Sequence, residues 1–184
     1  GWIAGHEREG VTDVVFQREV ERVMRQHGSL GFFLALGTNS DICMGRVLAG
    51  ENAARPAPFD FALGGGGAHA SIPIGADGTL LRPGMAVMVD MAGTFTPYMT
   101  DMTRVFSVGR LSEEAYRAHG VSIEIQSAVE AMAKAGTSCA EIYHLSLSIA
   151  EARGLGHCFM GTEQQAKFVG HGVGLQVNEW PVLT

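Results

Sequence analysis

Along the chain, stretches with helical spacing of apolar residues give way to stretches with strand-like alternation, and glycine and proline mark the changes. Phe16, Val20, Val23 and Met24 fall on one helical face behind Thr12, and Gly28 follows. This predicts a helix over 13–27 with Thr12 as its cap and Gly28 as its stop. "GSLGFFLALGT" and "ICMGRVLAG" are short apolar runs bounded by glycine, consistent with strands or buried loops, and "ENAARPAPFDFALGGGG" is a Pro- and Gly-rich connector. "MAVMVDMA" and "YMTDMTRVFSV" predict two strands around a tight turn at Thr94–Pro97. Ser112, followed by two acids, opens a long helix that the pattern closes at Gly136. "SCAEIYHLSLSIAEARG" predicts a second helix, with Ser138 and Glu141 as a capping box and Gly154 as its end. Paired strands followed by paired helices indicate an α+β fold rather than a βαβ nucleotide-binding sheet.

The composition narrows the partners. A chain of 184 residues suffices for one domain with a sizeable core. Its net charge of -6 and scattered charged residues provide no basic field for nucleic acid or anionic lipid. Cys43, Cys139 and Cys158 are odd in number and lack C-x-x-C spacing, so neither a disulfide framework nor a thiolate metal site is expected. With no apolar run long enough to span a bilayer and no charged-then-apolar leader pattern, the expectation is a soluble, cytoplasmic protein that engages neither nucleic acid nor membrane.

The candidate chemistry lies in the strand pair. Asp90 interrupts an otherwise apolar strand, and Asp101 lies in the next one. Symmetric pairing about a turn centred between Phe95 and Thr96 places the two carboxylates directly opposite on one face, with Cβ atoms about 4.5–5.5 Å apart. Such a pair requires a cation, a basic partner or solvent, because two like charges on a buried face repel. Two readings stand: a metal pair, or another register with the acids solvated or paired to a residue such as Arg104. His171 lies among Gly170, Gly172 and Gly174, which leave its imidazole open to approach. A lone histidine in such a run is commonly a packed or turn residue. Together with two carboxylates it forms a donor set suited to Mn, Co, Fe or Zn. The glycines 64–67 invite comparison with a phosphate cradle, but no Lys-Ser/Thr follows and an ordinary loop is expected.

"VMVDMAGTFTPYMTDMTRVFSVG", followed further on by "FVGHGVGLQVNEWPVL", resembles the pita-bread metallopeptidases, the family of methionine aminopeptidase, Xaa-Pro aminopeptidase and prolidase. The early segment "HEREGVTDVVFQREVERVMRQHGS" is similar to that family's first helix. The resemblance implies a curved antiparallel sheet backed by helices and two divalent metal ions (Mn, Co, Zn or Fe). It implies metal ligands at Asp90, Asp101 and His171, with Thr103 steadying a carboxylate. It further implies hydrolysis at the N-terminal end of a peptide substrate, Xaa-Pro bonds among them, by a metal-activated water. Two alternatives stay open on the same fold: a peptide-binding pseudo-enzyme that has lost catalysis, and a creatinase-like C–N hydrolase.

The chain also departs from the family pattern. Asn178 in "NEWP" stands where the family has a substrate-contacting histidine; it can donate a hydrogen bond but cannot titrate near neutrality. His69 in "GGGGAHASIPIG" is the counterpart of a further active-site histidine, with an exposed loop histidine as the competing reading. The family's last two ligands, both glutamates, would lie beyond Thr184, and Glu179 does not replace them. The expectation is therefore a catalytic domain over 1–184 that lacks its C-terminal strands, binds divalent metal weakly and does not hydrolyse peptides alone. Its uncovered strand edges leave room for a homodimer.

Overall fold

The computed structural model describes residues 10–31, 44–56 and 64–184. Most of "GSLGFFLALGT", Cys43 and residues 57–63 of the connector lie outside these. The fold is α+β, in two compact units: residues up to Leu111 together with Val173–Glu179, and Ser112–Gly172 together with Trp180–Thr184.

In the first unit, helix α1 (Asp13–Gln26) begins where the Thr12 hydroxyl accepts the Val15 N–H at 3.3 Å. It packs on an antiparallel sheet that, among the described residues, has three strands ordered β1 (Gly45–Ala49), β2 (Met85–Thr94), β3 (Met99–Val108). Phe16 and Val20 of the helix meet Val47, Ala49, Val87, Val89 and Met91 in the core. The odd positions of β2 therefore face the helix, and the even ones, Asp90 included, face the other way. A one-residue slip would expose Val87, Val89 and Met91 at roughly 1.5–3 kcal/mol each, which fixes this parity. The Val47 N–H of β1 donates to Gln17 Oε1 at 3.1 Å, while Gln17 Nε2 donates to Glu21 at 2.9 Å, so α1 supplies the acceptor for this strand N–H.

Strands β2 and β3 correct the expected register. Asp90 lies across from Thr103, and Ala92 across from Asp101. The loop is Phe95–Tyr98 rather than Thr94–Pro97, because Thr94 stays in the ladder opposite Met99. Thr94 is buried and its hydroxyl contacts the Met99 sulfur at 3.2 Å, while Tyr98 N–H donates to Thr96 Oγ1 at 3.2 Å within the loop. A shift of two residues changes the partners but not the faces, so hydrophobic patterning is blind to it and the loop's own bonding decides.

In the second unit, α2 (Glu113–Met132) packs against α3 (Cys139–Ala152). The Ser112 hydroxyl caps α2 by accepting from Ala115 N–H at 3.2 Å. The helix stops before Gly136 because Thr137 Oγ1 donates to the Met132 carbonyl at 2.9 Å and ends the ladder there. Ser138 occupies the N-cap of α3 but makes no side-chain cap bond, so the expected capping box is not formed. Arg153 joins the two helices through a two-pronged contact to Glu124 at 2.8 and 3.1 Å. Short strand β4 (His171–Gly172) pairs with β5 (Glu179–Val182). Among the described residues no helix is long and apolar enough to cross a membrane.

Candidate metal centre

Asp90 and Asp101 share the face of the sheet that points away from α1. The observed register makes them diagonal rather than direct neighbours, with backbones about 7–8 Å apart. That spacing relieves the repulsion of a direct pair and leaves room between the carboxylates for a cation. Thr103, directly opposite Asp90, donates its hydroxyl to Asp90 Oδ1 at 2.6 Å. The bond fixes the carboxylate's rotation. Arg104 pairs with Val89 on the helix-facing side and donates to the Thr103 carbonyl at 2.7 Å, so the register does not support it as partner to the acids. The basic residue directly across from Asp90 is Arg46 of β1, which the sequence reading missed. Its signal lay in the alternation of "GRVLA", unreadable until the β1–β2 register was known.

Gly45 permits the close approach of β1 to β2. Its φ is +126°, and a Cβ there would overlap the Asp90 carbonyl oxygen and lie 2.7 Å from Met91 Cα.

His171 belongs to the second unit and is half-buried on β4, its ring tilted against Phe168 at 6.3 Å between centroids. Its Nδ1 lies 3.0 Å from the Gly172 carbonyl oxygen. A carbonyl can only accept, so Nδ1 carries the proton and the lone pair is on Nε2, the form in which an imidazole ligates metal. Among the described residues no group of three or more His, Cys, Asp and Glu is gathered as a metal cluster. What the first unit assembles is the carboxylate pair with its threonine, a donor set of hard oxygens that fits a divalent cation.

Asn178 and His69 both belong to the first unit. Asn178 is half-buried in a tight segment that Glu179 closes by accepting the Gln176 N–H at 2.8 Å, and the segment attaches to β3 where Met99 N–H donates to the Gly174 carbonyl at 2.7 Å. His69 is exposed on a loop and lines a cavity of about 460 Å³ with Gln17, Arg18, Glu21, Arg46 and Ile72. The buried Asn52 holds the base of that loop: its Nδ2 donates to the Gly75 carbonyl at 3.0 Å and its Oδ1 accepts from Gly66 N–H at 2.7 Å. The glycines 64–67 thus belong to a loop, and Asn52 holds it in place rather than leaving it an open flexible connector. Asp13, fully buried at the start of α1, anchors the far end by accepting N–H groups from Gly78 at 2.9 Å and Asp77 at 3.3 Å.

The sequence profile of metallopeptidase family M24 matches residues 2–184. The chain belongs to metallopeptidase family M24. Among curated relatives, the Xaa-Pro dipeptidase of Pyrococcus furiosus is 29% identical over 134 residues, covering 72% of this chain and 36% of the relative. An uncharacterized peptidase of Staphylococcus aureus is 30% identical over 174 residues, covering 94% of this chain and 40% of the relative. The chain thus spans well under half the length of these curated relatives. Among solved structures, an X-Pro aminopeptidase from Thermotoga maritima superposes with a TM-score of 0.75 at 24% identity, over 96% of this chain and 42% of that one. The prolidase of Pyrococcus horikoshii gives 0.74 at 22% identity, over 99% and 44%. These likenesses establish the pita-bread fold of M24 for this chain.

Proposed function

We propose that this M24 chain serves as a metal-dependent peptidase acting at the N-terminal end of peptides, Xaa-Pro bonds among them. The observation that carries the reading is the Asp90–Thr103 bond beside Asp101 on one sheet face, in a chain that matches the family along nearly its whole length. Asp90, Asp101 and the Nε2 of His171 are the groups that would hold divalent ions, two in number and drawn from manganese, cobalt, zinc or iron. When bound, such ions supply a water of lowered pKa and a polarised carbonyl.

The residues of the chain prepare that chemistry. Thr103 holds one carboxylate oxygen of Asp90 and so sets the direction of the other. The Gly172 carbonyl holds the His171 ring in the ligating tautomer. Asn178 supplies an amide N–H₂ for a substrate oxygen and moves no proton. The free thiols of Cys139 and Cys158 support a reducing compartment such as the cytosol.

Calorimetric titration of the purified chain with manganese tests the reading. Binding should be seen in the wild type and weaken at least tenfold in Asp101→Asn, whose circular dichroism should be unchanged because Asp101 is exposed on β3. Equal affinity in the two proteins would remove Asp101 from the site. In a peptidase assay with added manganese, Asp101→Asn should abolish release of proline from an Xaa-Pro dipeptide. Asn178→Ala should lower turnover there and Asn178→His should not. A protein that binds peptide but no metal would instead be a peptide-binding member of the fold.

A further inference from the structure

The two candidate histidines are held in opposite ways by their own neighbours. Nδ1 of His171 donates to a carbonyl, which leaves the lone pair on Nε2. Nδ1 of His69 lies 3.1 Å from the Ser71 backbone N–H and 2.7 Å from Ser71 Oγ. An amide N–H can only donate, so Nδ1 of His69 must present its lone pair, and the hydroxyl turns to donate to it as well. The proton of the neutral ring is then on Nε2. The loop supports this arrangement: Ile72 N–H donates to the His69 carbonyl at 2.9 Å, and Asn52 closes the loop base on Gly66 and Gly75.

We propose that Ser71 is a positioning residue that fixes His69 with its proton on Nε2, so that His69 serves as a hydrogen-bond donor to an oxygen of a peptide bound in the adjoining cavity rather than as a metal ligand. The cavity suits such a ligand. It is open to solvent through exposed His69 and Arg18, Arg46 and Glu21 give it charge of both signs for the two ends of a dipeptide, and Ile72 and Ile74 supply apolar surface for a side chain. A neutral imidazole with Nε2–H offers no lone pair on that nitrogen to a cation, and its other nitrogen is engaged by Ser71. The family supplies a histidine in this neighbourhood by resemblance, but the pairing with Ser71 is a feature of this chain's own loop. The inference rests on the peptidase reading only for the identity of the ligand.

Two-bond proton–nitrogen correlation spectra of the ¹⁵N-labelled protein, taken at mildly alkaline pH, read both tautomers directly. His69 should show an unprotonated Nδ1 and a protonated Nε2, and His171 the reverse. Ser71→Ala, which keeps the backbone N–H and loses the hydroxyl, should leave Nε2 the main protonated nitrogen while raising the Nδ1-protonated fraction, and Ser71→Thr should restore the wild-type ratio. Loss of the hydroxyl should weaken binding of the dipeptide Ala-Pro, followed at His69 Nε2, by about fivefold, the effect of one neutral hydrogen bond. An averaged or Nδ1-protonated His69 in the wild type, or an unchanged tautomer ratio in Ser71→Ala, overturns the role of Ser71. Addition of zinc separates this failure from that of the metal reading. His171 should shift and His69 should not; a shift at His69 overturns the inference, whereas an unmoved His171 removes it from the metal centre and leaves the tautomer assignment of His69 standing. Ala-Pro binding that leaves His69 Nε2 unmoved overturns its donor role.

Discussion

Replacing Asn52 with alanine removes both side-chain bonds at the base of the loop carrying His69 and leaves its backbone bonds in place. The two losses are unequal. The Gly75 carbonyl also accepts the Gly67 N–H at 3.1 Å, so it keeps a partner when the Asn52 amide is removed. The Gly66 N–H donates to Asn52 Oδ1 at 2.7 Å and is left without that acceptor. Two hydrogen bonds at about 1 kcal/mol each, with about 1 kcal/mol more for a half-buried donor left unpaired, give a loss of roughly 3 kcal/mol. That is about a hundredfold in the equilibrium for holding the loop closed. Urea unfolding reads the global part, and native-state hydrogen exchange at Gly66, Gly67 and Gly75 reads the local part. Asn52→Asp is a second arm: it keeps an acceptor for Gly66 but turns a carboxylate oxygen toward the Gly75 carbonyl, so it should be no more stable than the alanine variant. If Asn52→Ala unfolds within about 0.5 kcal/mol of the wild type and Gly66 exchanges equally fast in the two proteins, the staple argument is wrong.

Asp13 predicts a pH effect whose sign follows from its burial. Loss of hydration raises its carboxyl pKa above the ordinary 3.8, against the lowering effect of the Gly78, Asp77 and Val14 N–H groups and with a smaller push from the charge of Asp77. The folded state therefore holds this proton more tightly than the unfolded chain. Its contribution is fully present below 3.8 and is lost as the pH rises through the raised value, so wild type should gain stability relative to Asp13→Asn on acidification. Urea midpoints that diverge the other way would contradict this. Gly45→Ala should cost roughly 3 kcal/mol or more, because a positive φ and an overlap with the backbone of β2 act together, whereas Gly78→Ala, at φ +94° with open space around it, should cost only the roughly 1–2 kcal/mol of the left-handed conformation. Equal midpoints for the two variants would show that β1 is not pressed against β2 there. Thr103→Val should weaken divalent-metal binding by about 10–100-fold with the sheet intact, measured by the same manganese titration as Asp101→Asn.

What the sequence alone determined was periodic and local. Helix α1 starts at the cap that Thr12 offers and ends beside Gly28, whose φ of +98° suits glycine, and the long helix begins at Ser112 because its hydroxyl satisfies a backbone donor three residues on. Alternation placed Asp90 on a face of β2 opposite to Val87, Val89 and Met91, and the same parity carried Asp101 to that face. Such features depend on residues within one or two turns or on a period of two, and a chain displays them directly. The β2–β3 register was different in kind. Pairings two residues apart bury the same side chains, so choosing between them required Thr94 against Met99 and the Thr96 hydroxyl within the loop. The end of α2 was likewise settled by Thr137 reaching back to Met132, and the capping box expected at Ser138 did not form in the folded chain. Arg46 across from Asp90, Asn52 gripping Gly66 and Gly75, and Asp13 holding Gly78 join residues far apart in sequence. The opposite tautomers of His69 and His171 depend on which backbone group lies beside each Nδ1, a matter of ångströms that residue identity leaves open and the folded chain decides.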